Sequence, residues 1–393
     1  MPGRALPSGG FMWKKILPVF VFCAIVFGLA GAGIFSEEKA YSATEKRELQ
    51  TRPKPKAKTI KKGKFQKKYE RYLSDQFPGR DGWVRLQTGI SRLLGKTESN
   101  GVYFGTDDYL LEHYDGKDFE PEQVKQNIDA LRKFVLRAKK QAQVRAMIVP
   151  TKTWEMKYHL PAFAPTYDEQ IFYDALYEAF DGNEELLVPV ERELVLRSAG
   201  DAPQTYYRTD HHWTTEGARI GYEAYLKSLS GDGAAARAAE KSDLTCVCDD
   251  FLGTTYAKVH QAGRADEICI YEPKKKLSVV YNMGERTTDT LFEMEYLEKE
   301  DKYSVFTGGN QAVIEITGGE KNGRTLLLIK DSFANCMVPF LAEDYEKVVV
   351  VDLRQLNVGC VTLLEMFAPT DVLILYNSAQ FADDIEFAIK CNS

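Results

Sequence analysis

Residues 325–333 read TLLLIKDSF, an apolar run that ends in a polar turn. Two further apolar runs follow it, VVVV at 348–351 and VLIL at 372–375, and a fourth, VRAMIV, precedes it at 144–149. Strands that are apolar on both faces are typical of a parallel sheet covered on both sides by helices. The four runs therefore predict an α/β fold with a parallel sheet flanked by helices.

Helical periodicity accounts for much of the chain between these runs. Apolar residues at helical spacing predict one helix over 121–141 and another over 214–229. A further helix–strand unit is expected at 167–180 and 186–190.

Other stretches predict shorter elements around the sheet. A helical rhythm over 65–95 is interrupted at Pro78–Gly79, and two short strands are expected at 102–104 and 109–111. Residues 244–320 are rich in Tyr, Thr, Gly and Val, which predicts a β-rich, antiparallel insert or layer.

The N-terminal segment holds an uncharged apolar run from Ile16 to Phe35. A helix of this length spans about 30 Å, the thickness of the hydrocarbon core of a membrane. Lys14 and Lys15 precede the run, and the positive-inside bias places residues 1–15 in the cytoplasm and the rest of the chain outside. We therefore expect a single-pass membrane anchor at 16–35.

A cleaved signal peptide is the alternative interpretation of the same run, with a cut near Ala30–Ala32 or Ser42–Ala43. Both interpretations place the main domain outside the cytoplasm. Residues 36–64 combine lysines with prolines and predict a basic stalk, which either lies against anionic lipids or cell-wall polymers or serves as a spacer. Residues 65–393 are predicted to form the main domain.

Charge is unevenly distributed along the chain. Residues 1–45 carry a net +1 and residues 46–71 a net +10, so residues 72–393 carry −17 within the whole-chain charge of −6. A domain this acidic repels phosphate backbones, so nucleic-acid binding is not expected. Six of the seven cysteines lie beyond the apolar run, which leaves both disulfides and buried free thiols open.

Two of the five histidines adjoin in Asp210-His211-His212-Trp213. In an extended segment Asp210 and His212 project to the same side, so the carboxylate can accept the Nδ1 proton and leave Nε2 free as a base. One alternative is a strand end that caps the helix starting near Thr214. Another is a metal site, but the sequence lacks the further Asp/His clusters of a two-metal site. We therefore expect no metal and no cofactor.

The serine of the turn at 325–333 is the candidate nucleophile. Ser332 stands where a buried strand ends and a helix begins, so it lies near the positive end of the helix dipole. Backbone N–H groups at such a turn can bind a developing oxyanion. A serine that only caps the helix is the alternative. Together with Asp210 and His212, Ser332 predicts a Ser–His–Asp hydrolase or acyltransferase.

A third segment, YSVFTGGN at 303–310, combines two glycines with an asparagine. Glycine lets the backbone approach a ligand, and an asparagine amide can complete an oxyanion hole. A tight hairpin turn is the alternative for the same residues.

These motifs together resemble the bacterial DHHW family, which is named for the motif at 210–213. Further similar stretches are NGVYFG at 100–105, YLL at 109–111, the Gly-Gly-Asn segment, KDSFAN at 330–335 and VDLR at 351–354. The similarity runs from about Tyr69 to the C-terminus. The family in turn resembles the SGNH-like domain of alginate O-acetyltransferases, in which the histidine motif precedes the serine. That order is circularly permuted relative to ordinary SGNH hydrolases.

The resemblance implies a role for each matching residue. Ser332 would be the nucleophile, His212 the base, and Asp210 the residue that orients the base. The oxyanion hole would be formed by Gly308, Asn310 and the backbone N–H of Phe333. The turn Lys330-Asp331-Ser332 departs from the usual Gly-Asp-Ser.

Three further residues are expected near the substrate. Trp213 would lie under a sugar ring or simply pack beneath the site, and packing is the simpler role. His211 would assist substrate binding or form a structural hydrogen bond. Lys152 follows the strand at 144–149, at the edge of the sheet where ligands usually bind, and is a candidate acceptor-binding residue.

The predicted function is that of an extracytoplasmic, membrane-anchored serine O-acyltransferase or esterase acting on a cell-surface or secreted polysaccharide. The resemblance also implies a membrane acyl-exporting partner, because an acetyl donor must reach the outside of the membrane. The alternative is a non-catalytic polysaccharide-binding or cell-envelope assembly protein on an SGNH-like scaffold.

Overall fold

The computed structural model describes residues 9–42, 47–197, 204–230 and 234–392. Residues 1–8 of the predicted cytoplasmic segment, and Ala43 of the alternative cleavage site, lie outside the described residues. The chain divides into two compact units between Gln87 and Thr88.

The first unit contains a long apolar helix and several short elements. They are α1 (Gly9–Phe35), β1 (Tyr41–Ser42), β2 (Arg47–Glu48), α2 (Ala57–Lys61), α3 (Lys64–Asp75) and α4 (Arg80–Leu93), the last continuing into the second unit. The break predicted at Pro78–Gly79 separates α3 from α4. Within α1, Ile16–Gly33 has a mean hydropathy of 2.4 and is long and apolar enough to cross a membrane. This helix is compatible with a single-pass anchor and with a signal peptide.

The second unit combines strands and helices. Its strands are β3 (Glu98–Ser99), β4 (Val102–Phe104), β5 (Leu110–Glu112), β6 (Gln143–Val149), β7 (Thr245–Phe251), β8 (Asp266–Ile270), β9 (Ser278–Tyr281), β10 (Arg286–Thr288), β11 (Val313–Thr317), β12 (Thr325–Lys330), β13 (Lys347–Val351) and β14 (Asp371–Asn377). Its α-helices are α5 (Pro121–Ala138), α6 (Lys152–Glu155), α7 (Gln170–Ala179), α8 (Val190–Arg197), α9 (Thr215–Ser230), α10 (Ala234–Ala239), α11 (Thr254–Val259), α12 (Val338–Ala342), α13 (Cys360–Phe367), α14 (Ser378–Asp383) and α15 (Phe387–Cys391).

A seven-stranded mixed sheet forms the centre of this unit, with the strand order β10-β9-β11-β13-β12-β14-β6. β13, β12, β14 and β6 run parallel to one another, and β11, β9 and β10 are antiparallel additions. The four predicted apolar runs are therefore neighbouring parallel strands, and the protein is a mixed α/β protein as predicted.

The β-rich region predicted at 244–320 divides between two sheets. β9, β10 and β11 extend the central sheet, whereas β7 and β8 pair with each other in a separate two-stranded sheet. A disulfide between Cys246 and Cys269 joins β7 to β8.

The central strands are apolar throughout because both faces of the sheet are covered. Leu326 and Leu328 point into one hydrophobic cluster, which includes residues of α9. Leu327 and Ile329 point into the other cluster, which includes residues of α5, α7 and α13. Alternate side chains of one strand thus enter opposite layers of the core.

The strand predicted at 186–190 is wrong. Leu187 makes a single parallel bridge with Ala146 at the sheet edge, and α8 already begins at Val190. Pro189 has no N–H to donate to a strand ladder. Glu191 in the first turn of α8 favours a helix start, because a negative charge is stabilised at the N-terminal end of a helix.

Candidate active site

Ser332 lies at the carboxyl end of β12, the strand between β13 and β14. β12 ends at Lys330, and a 3-10 helix runs over Ser332–Cys336. Asp331 caps this helix: its Oδ1 accepts the Phe333 N–H at 2.9 Å, and its Oδ2 accepts the Asn377 N–H at 2.7 Å. Burial raises the pKa of the Asp331 carboxyl group. The turn that carries Ser332 is therefore tied to the end of β14.

The Asp-His-His-Trp motif precedes α9 and brings an imidazole to Ser332. His212 Nε2 lies 2.8 Å from Ser332 Oγ, and His212 Nδ1 lies 2.5 Å from Asp210 Oδ1. Asp210 is fully buried and His212 is 4% exposed, whereas Ser332 is partly exposed. The three side chains form a continuous hydrogen-bonded chain from a buried carboxylate to an accessible hydroxyl.

Residues distant in sequence hold Asp210 in its orientation. Its Oδ2 accepts the backbone N–H of Thr254 at 2.7 Å and the Thr254 hydroxyl at 2.9 Å. Gly253 passes so close that a Cβ on it would lie 2.2 Å from Asp210 Cβ and 2.3 Å from Asp210 Oδ2. The start of α11 therefore requires glycine at position 253 for steric reasons.

Asp266, the first residue of β8, holds the backbone just before the motif. Its carboxylate accepts the N–H of Arg208 at 2.8 Å and the N–H of Thr209 at 2.7 Å. The Thr209 hydroxyl donates to the same carboxylate at 2.6 Å. The loop is thus anchored to the two-stranded β7–β8 sheet on one side and faces Ser332 on the other.

Lys152 binds the backbone of the motif through its ammonium group. Its Nζ, on a side chain that is 2% exposed, donates to the carbonyl oxygens of Asp210 at 2.7 Å and Arg208 at 3.2 Å. Burial lowers the pKa of Lys152 to about 8. Lys152, expected as an acceptor-binding residue, instead contacts the backbone of the motif and does not line the described pocket at Ser332.

The remaining two motif residues have different environments. His211 lines the pocket beside Ser332, and burial together with the proximity of His212 lowers its pKa to about 3, so its imidazole is neutral at pH 7. Trp213 is fully buried and donates its indole N–H to the Phe333 carbonyl at 2.7 Å. This burial favours the packing role for Trp213 over contact with a sugar.

The 303–310 segment contributes a tyrosine to the site. The Tyr303 ring stacks on the His212 ring, with centroids 3.9 Å apart and an interplanar angle of 11°. The Tyr303 hydroxyl donates to the Ser332 carbonyl at 3.3 Å. Gly308 and Gly309 have φ angles of 65° and 81°, as the tight-turn alternative requires.

The groups expected to form an oxyanion hole have different surroundings. A Cβ on Gly308 would lie 3.3 Å from Glu293 Cγ and 3.4 Å from a guanidinium nitrogen of Arg286. Asn310 is exposed and is not among the described residues that line the Ser332 pocket. The Phe333 N–H is already bound by the carboxylate of Asp331. The oxyanion hole of Gly308, Asn310 and the Phe333 N–H therefore stays a prediction, and the Phe333 N–H would have to leave the Asp331 carboxylate to take part in it.

A pocket of about 250 Å³ opens beside Ser332. The described residues that line it are Tyr114, Asp118, His211, Asp331, Ser332, Phe333, Asn377, Ala379, Gln380 and Asp383. Neutral polar groups and carboxylates thus surround the hydroxyl, and small ligands are usually held by such convergent polar groups in a concave site.

A metal ion is the alternative occupant of the motif. Asp210, His211 and His212 offer ligand atoms within 4.8 Å of one another. However, the His212 nitrogens face Asp210 and Ser332, and His211 Nδ1 lies 2.5 Å from the Thr254 hydroxyl. An ion would have to displace these hydrogen bonds, so the donor set fits a hydrogen-bonded triad better than a metal centre.

Fold and site together define a mixed α/β protein in which serine, histidine and aspartate meet at the carboxyl end of a central parallel strand. The DHHW protein family model matches residues 189–351, a range that contains both the motif at 210–213 and Ser332. The predicted resemblance to the DHHW family is confirmed.

Solved structures share this fold. A DHHW family protein from Eubacterium siraeum has a TM-score of 0.60 at 22% identity, over 74% of this chain and 96% of that one. Bacillus cereus PatB1 with a sulfonyl adduct has a TM-score of 0.57 at 20% identity, over 72% of this chain and 95% of that one. Another PatB1 structure has a TM-score of 0.54 at 21% identity, over 72% and 97% of the two chains. Comparison with curated proteins gives no match.

Several residues that build the site have no role in the sequence-based interpretation. Asp331 has a recognisable signal, since aspartate before a helix start is a preferred cap. Tyr303 lies in a segment that the sequence singles out for its glycines and asparagine. Gly253, Thr254 and Asp266 lie in the β-rich region, and nothing local connects them to Asp210.

Proposed function

We propose that this protein is a serine O-acyltransferase or esterase that acts on an extracytoplasmic polysaccharide. The observation that carries the proposal is the contact of 2.8 Å between Ser332 Oγ and His212 Nε2, with Nδ1 held by Asp210, beside an open pocket. The resemblance of the DHHW family to SGNH-like O-acetyltransferases supports the acyl chemistry. Helix α1, which is long and apolar enough to cross a membrane, supports a location at the membrane, and Lys14 and Lys15 before the apolar run support an external main domain.

The chemistry proceeds through an acyl-enzyme. His212 Nε2 accepts the Ser332 proton while Oγ attacks the carbonyl carbon of an acyl ester. The tetrahedral intermediate collapses, the donor oxygen leaves with the proton from His212, and the acyl group remains on Ser332. An acceptor hydroxyl then gives its proton to Nε2 and attacks the acyl-enzyme, and collapse returns a proton to Ser332. A sugar hydroxyl as acceptor makes the protein a transferase, and water makes it an esterase.

Oxyanion stabilisation requires N–H donors close to the acyl oxygen. Because the Phe333 N–H is bound to Asp331, we assign this role to the backbone N–H of Ser332 at the start of the 3-10 helix. The acyl donor is supplied by a membrane acyl-exporting partner, and the acceptor is a polysaccharide at the cell surface.

A non-catalytic polysaccharide-binding role is the second candidate. The observation in its favour is that the Phe333 N–H, one of the donors expected in the oxyanion hole, is already bound by the Asp331 carboxylate at 2.9 Å. Such a protein would bind sugar equally well after Ser332→Ala and would show no ester turnover before it.

Turnover of p-nitrophenyl acetate by the full chain in detergent tests the proposal. Ser332→Ala is expected to lower kcat by about 10³-fold or more, because the nucleophile is lost. Ser278→Ala is the matched control: Ser278 is exposed, pairs with Thr317 and begins β9, which is separated from β12 by β11 and β13. Equal turnover by wild type and Ser332→Ala would overturn the proposal.

Covalent labelling provides a second test that does not depend on the acceptor. An arylsulfonyl fluoride should form a sulfonate ester on Ser332 with loss of fluoride, and intact mass spectrometry should detect one adduct. The Ser278→Ala variant should be labelled like wild type, whereas Ser332→Ala should remain unlabelled. A label that persists in Ser332→Ala would place the reactive group elsewhere.

Gly253→Ala is expected to impair the same activity from a distance. The new Cβ would overlap Asp210, and a misplacement of about 1 Å costs about 10²-fold in rate. The measurement is kcat/KM for p-nitrophenyl acetate. Gly82→Ala is the control, because a Cβ there meets no atom within 4 Å. Unchanged kcat/KM in Gly253→Ala would show that Asp210 is not sterically confined as described.

A further inference from the structure

Tyr303 occupies one face of the candidate base. Its ring lies nearly parallel to the His212 imidazole, at 3.9 Å and 11°, and its side chain is 4% exposed. Tyr207 and Phe306 pack around the Tyr303 ring, with centroids 6.3 Å and 5.3 Å away. The tyrosine ring is therefore confined and presents a fixed surface to His212.

The contacts at the two nitrogens of His212 leave tilting of the imidazole plane as the motion that the Tyr303 ring can restrain. Nδ1 faces Asp210 and Nε2 faces Ser332, so the ring must keep its plane for both contacts to persist. The other neighbouring rings, of His211 and Phe333, are tilted by 35° and 47° relative to His212. Of these three rings, Tyr303 is the one that lies nearly parallel to the imidazole and therefore contacts its whole face.

The reaction also changes what Tyr303 contacts. When Ser332 attacks the acyl group, His212 becomes an imidazolium, and a cation over an aromatic face is attracted by the ring quadrupole. A neutral imidazole gains less from the same face, so the contact is stronger in the transition state than in the ground state. The Tyr303 hydroxyl is not part of this effect, since it donates to the Ser332 carbonyl at 3.3 Å.

We infer that Tyr303 is a positioning residue for acyl transfer, which holds the plane of His212 and stabilises its protonated form; this inference rests on the proposed function. Tyr303 acts through His212 and does not touch the acyl group. Its ring, not its hydroxyl, carries the role.

A pair of substitutions at position 303 tests the inference. Tyr303→Phe keeps the ring and should retain kcat for p-nitrophenyl acetate within about threefold. Tyr303→Leu removes the ring and should lower kcat by about tenfold or more while KM stays within about twofold. Tyr345→Leu is the matched control, because Tyr345 is also buried and precedes the amino end of β13, whereas Ser332 follows the carboxyl end of the parallel neighbour β12. It should lose stability but keep kcat.

The outcomes separate this inference from the proposed function. If wild type shows turnover that Ser332→Ala abolishes, and Tyr303→Leu still matches Tyr303→Phe in kcat, the inference fails alone. If Tyr345→Leu lowers kcat as much as Tyr303→Leu, the effect is general loss of packing and the inference also fails. If Ser332→Ala equals wild type, the proposed function itself fails.

A second, independent observation concerns two thiols in the core. Cys360 begins α13 and Cys391 ends α15, and their Sγ atoms lie 3.0 Å apart. Both side chains are buried, at 0% and 3% exposure, in the cluster on the α5 side of the sheet. A disulfide bond length is about 2.05 Å, so an approach of about one ångström would join them.

The geometry points to a Cys360–Cys391 disulfide in the oxidising surroundings where Cys246 and Cys269 are already joined. Each thiol loses one proton and one electron, and the two sulfurs form one bond. The oxidant is a disulfide of the thiol–disulfide exchange class, which is reduced to two thiols. The bond ties the last described helix to α13.

Differential alkylation tests this second inference. The full chain is equilibrated with oxidised glutathione until Cys246 and Cys269 are fully linked, then denatured, alkylated and digested. Mass spectrometry should find Cys360 and Cys391 linked to each other, while Cys248 and Cys336, which are free thiols in the structure, carry the alkyl group. Alkylation of Cys360 and Cys391 in that sample would overturn the assignment.

Discussion

Asp210→Asn is expected to lower kcat/KM for p-nitrophenyl acetate by about 10⁴-fold, as the loss of an orienting carboxylate does in a Ser–His–Asp triad. Both oxygens of Asp210 accept hydrogen bonds from fixed donors, the N–H of His212 at 2.9 Å and the N–H of Thr254 at 2.7 Å. An amide can offer an oxygen to only one of these donors.

The consequence for the base follows from the amide's orientation. If its NH₂ faces His212, it donates to Nδ1, and the imidazole proton moves to Nε2, where it faces Ser332. Nε2 can then no longer accept the serine proton. If the NH₂ faces Thr254, it opposes a backbone N–H in a fully buried position, and the loop must shift.

The measurement is kcat/KM across the pH range where wild type is stable, together with the thermal unfolding midpoint. Asp174→Asn is the control, because Asp174 is exposed on α7 and accepts a hydrogen bond from Gln170 at 2.8 Å. It should match wild type. A loss of less than tenfold in Asp210→Asn, with turnover still dependent on Ser332, would show that Asp210 does not orient His212.

Asp352→Asn is expected to lower the free energy of unfolding by about 3–5 kcal/mol, the cost of leaving a buried charge without its partner. Lys330 and Asp352 are both fully buried, with Nζ and Oδ2 3.7 Å apart. Arg354 also binds this carboxylate, with its guanidinium 2.7 Å from Oδ2. Burial lowers the pKa of Lys330 to about 8, and the nearby Asp352 charge opposes that shift.

The position of Lys330 explains why this pair matters to the site. Lys330 precedes Asp331-Ser332 where Gly-Asp-Ser is usual, and its Nζ donates to Asn335 Oδ1 at 2.7 Å in the 3-10 helix after Ser332. The ammonium group thus links β12, the end of β13 and the serine turn. Loss of the Asp352 carboxylate removes the anion that offsets the cost of burying the Lys330 ammonium group.

Chemical denaturation of the full chain measures the free energy of unfolding, and two further variants serve as comparisons for Asp352→Asn. Lys330→Met should cost less than half as much, because Asp352 keeps Arg354 as its partner. Glu295→Gln breaks the exposed pair of Glu295 with Lys299 and should cost less than about 1 kcal/mol. A similar small cost for Asp352→Asn would show that the buried pair does not stabilise the fold.

Much of the sheet was predictable because its signal is local. Runs such as 348–351 are apolar at every position, and only a strand covered on both faces tolerates that pattern. The strand at 186–190 failed as a prediction because an equally apolar segment contains Pro189 and leads into a helix. At this position the missing N–H of Pro189 matters more than the apolar side chains, because a strand ladder needs that donor.

The sequence predicted which side chains form the candidate site, but it did not predict most of the residues that pack around them. Asp210 and His212 are two residues apart, so their pairing is a local matter. The stacking of Tyr303 on His212, and the absence of Asn310 from the described residues that line the pocket, depend on how the 303–310 segment packs in the folded chain. No spacing in the chain encodes that packing.

The amino-acid sequence alone determined the parallel strands, the apolar N-terminal helix, and the Asp-x-His motif with a serine at a strand end. These follow from side chains acting on neighbours within a few residues. Only the tertiary structure decided that Ser332 meets an imidazole 120 residues away, that Gly253 and Thr254 confine Asp210, and that Asp331 occupies the Phe333 N–H. Such contacts depend on the packing of the whole sheet and its loops, because each joins groups that no local interaction brings together.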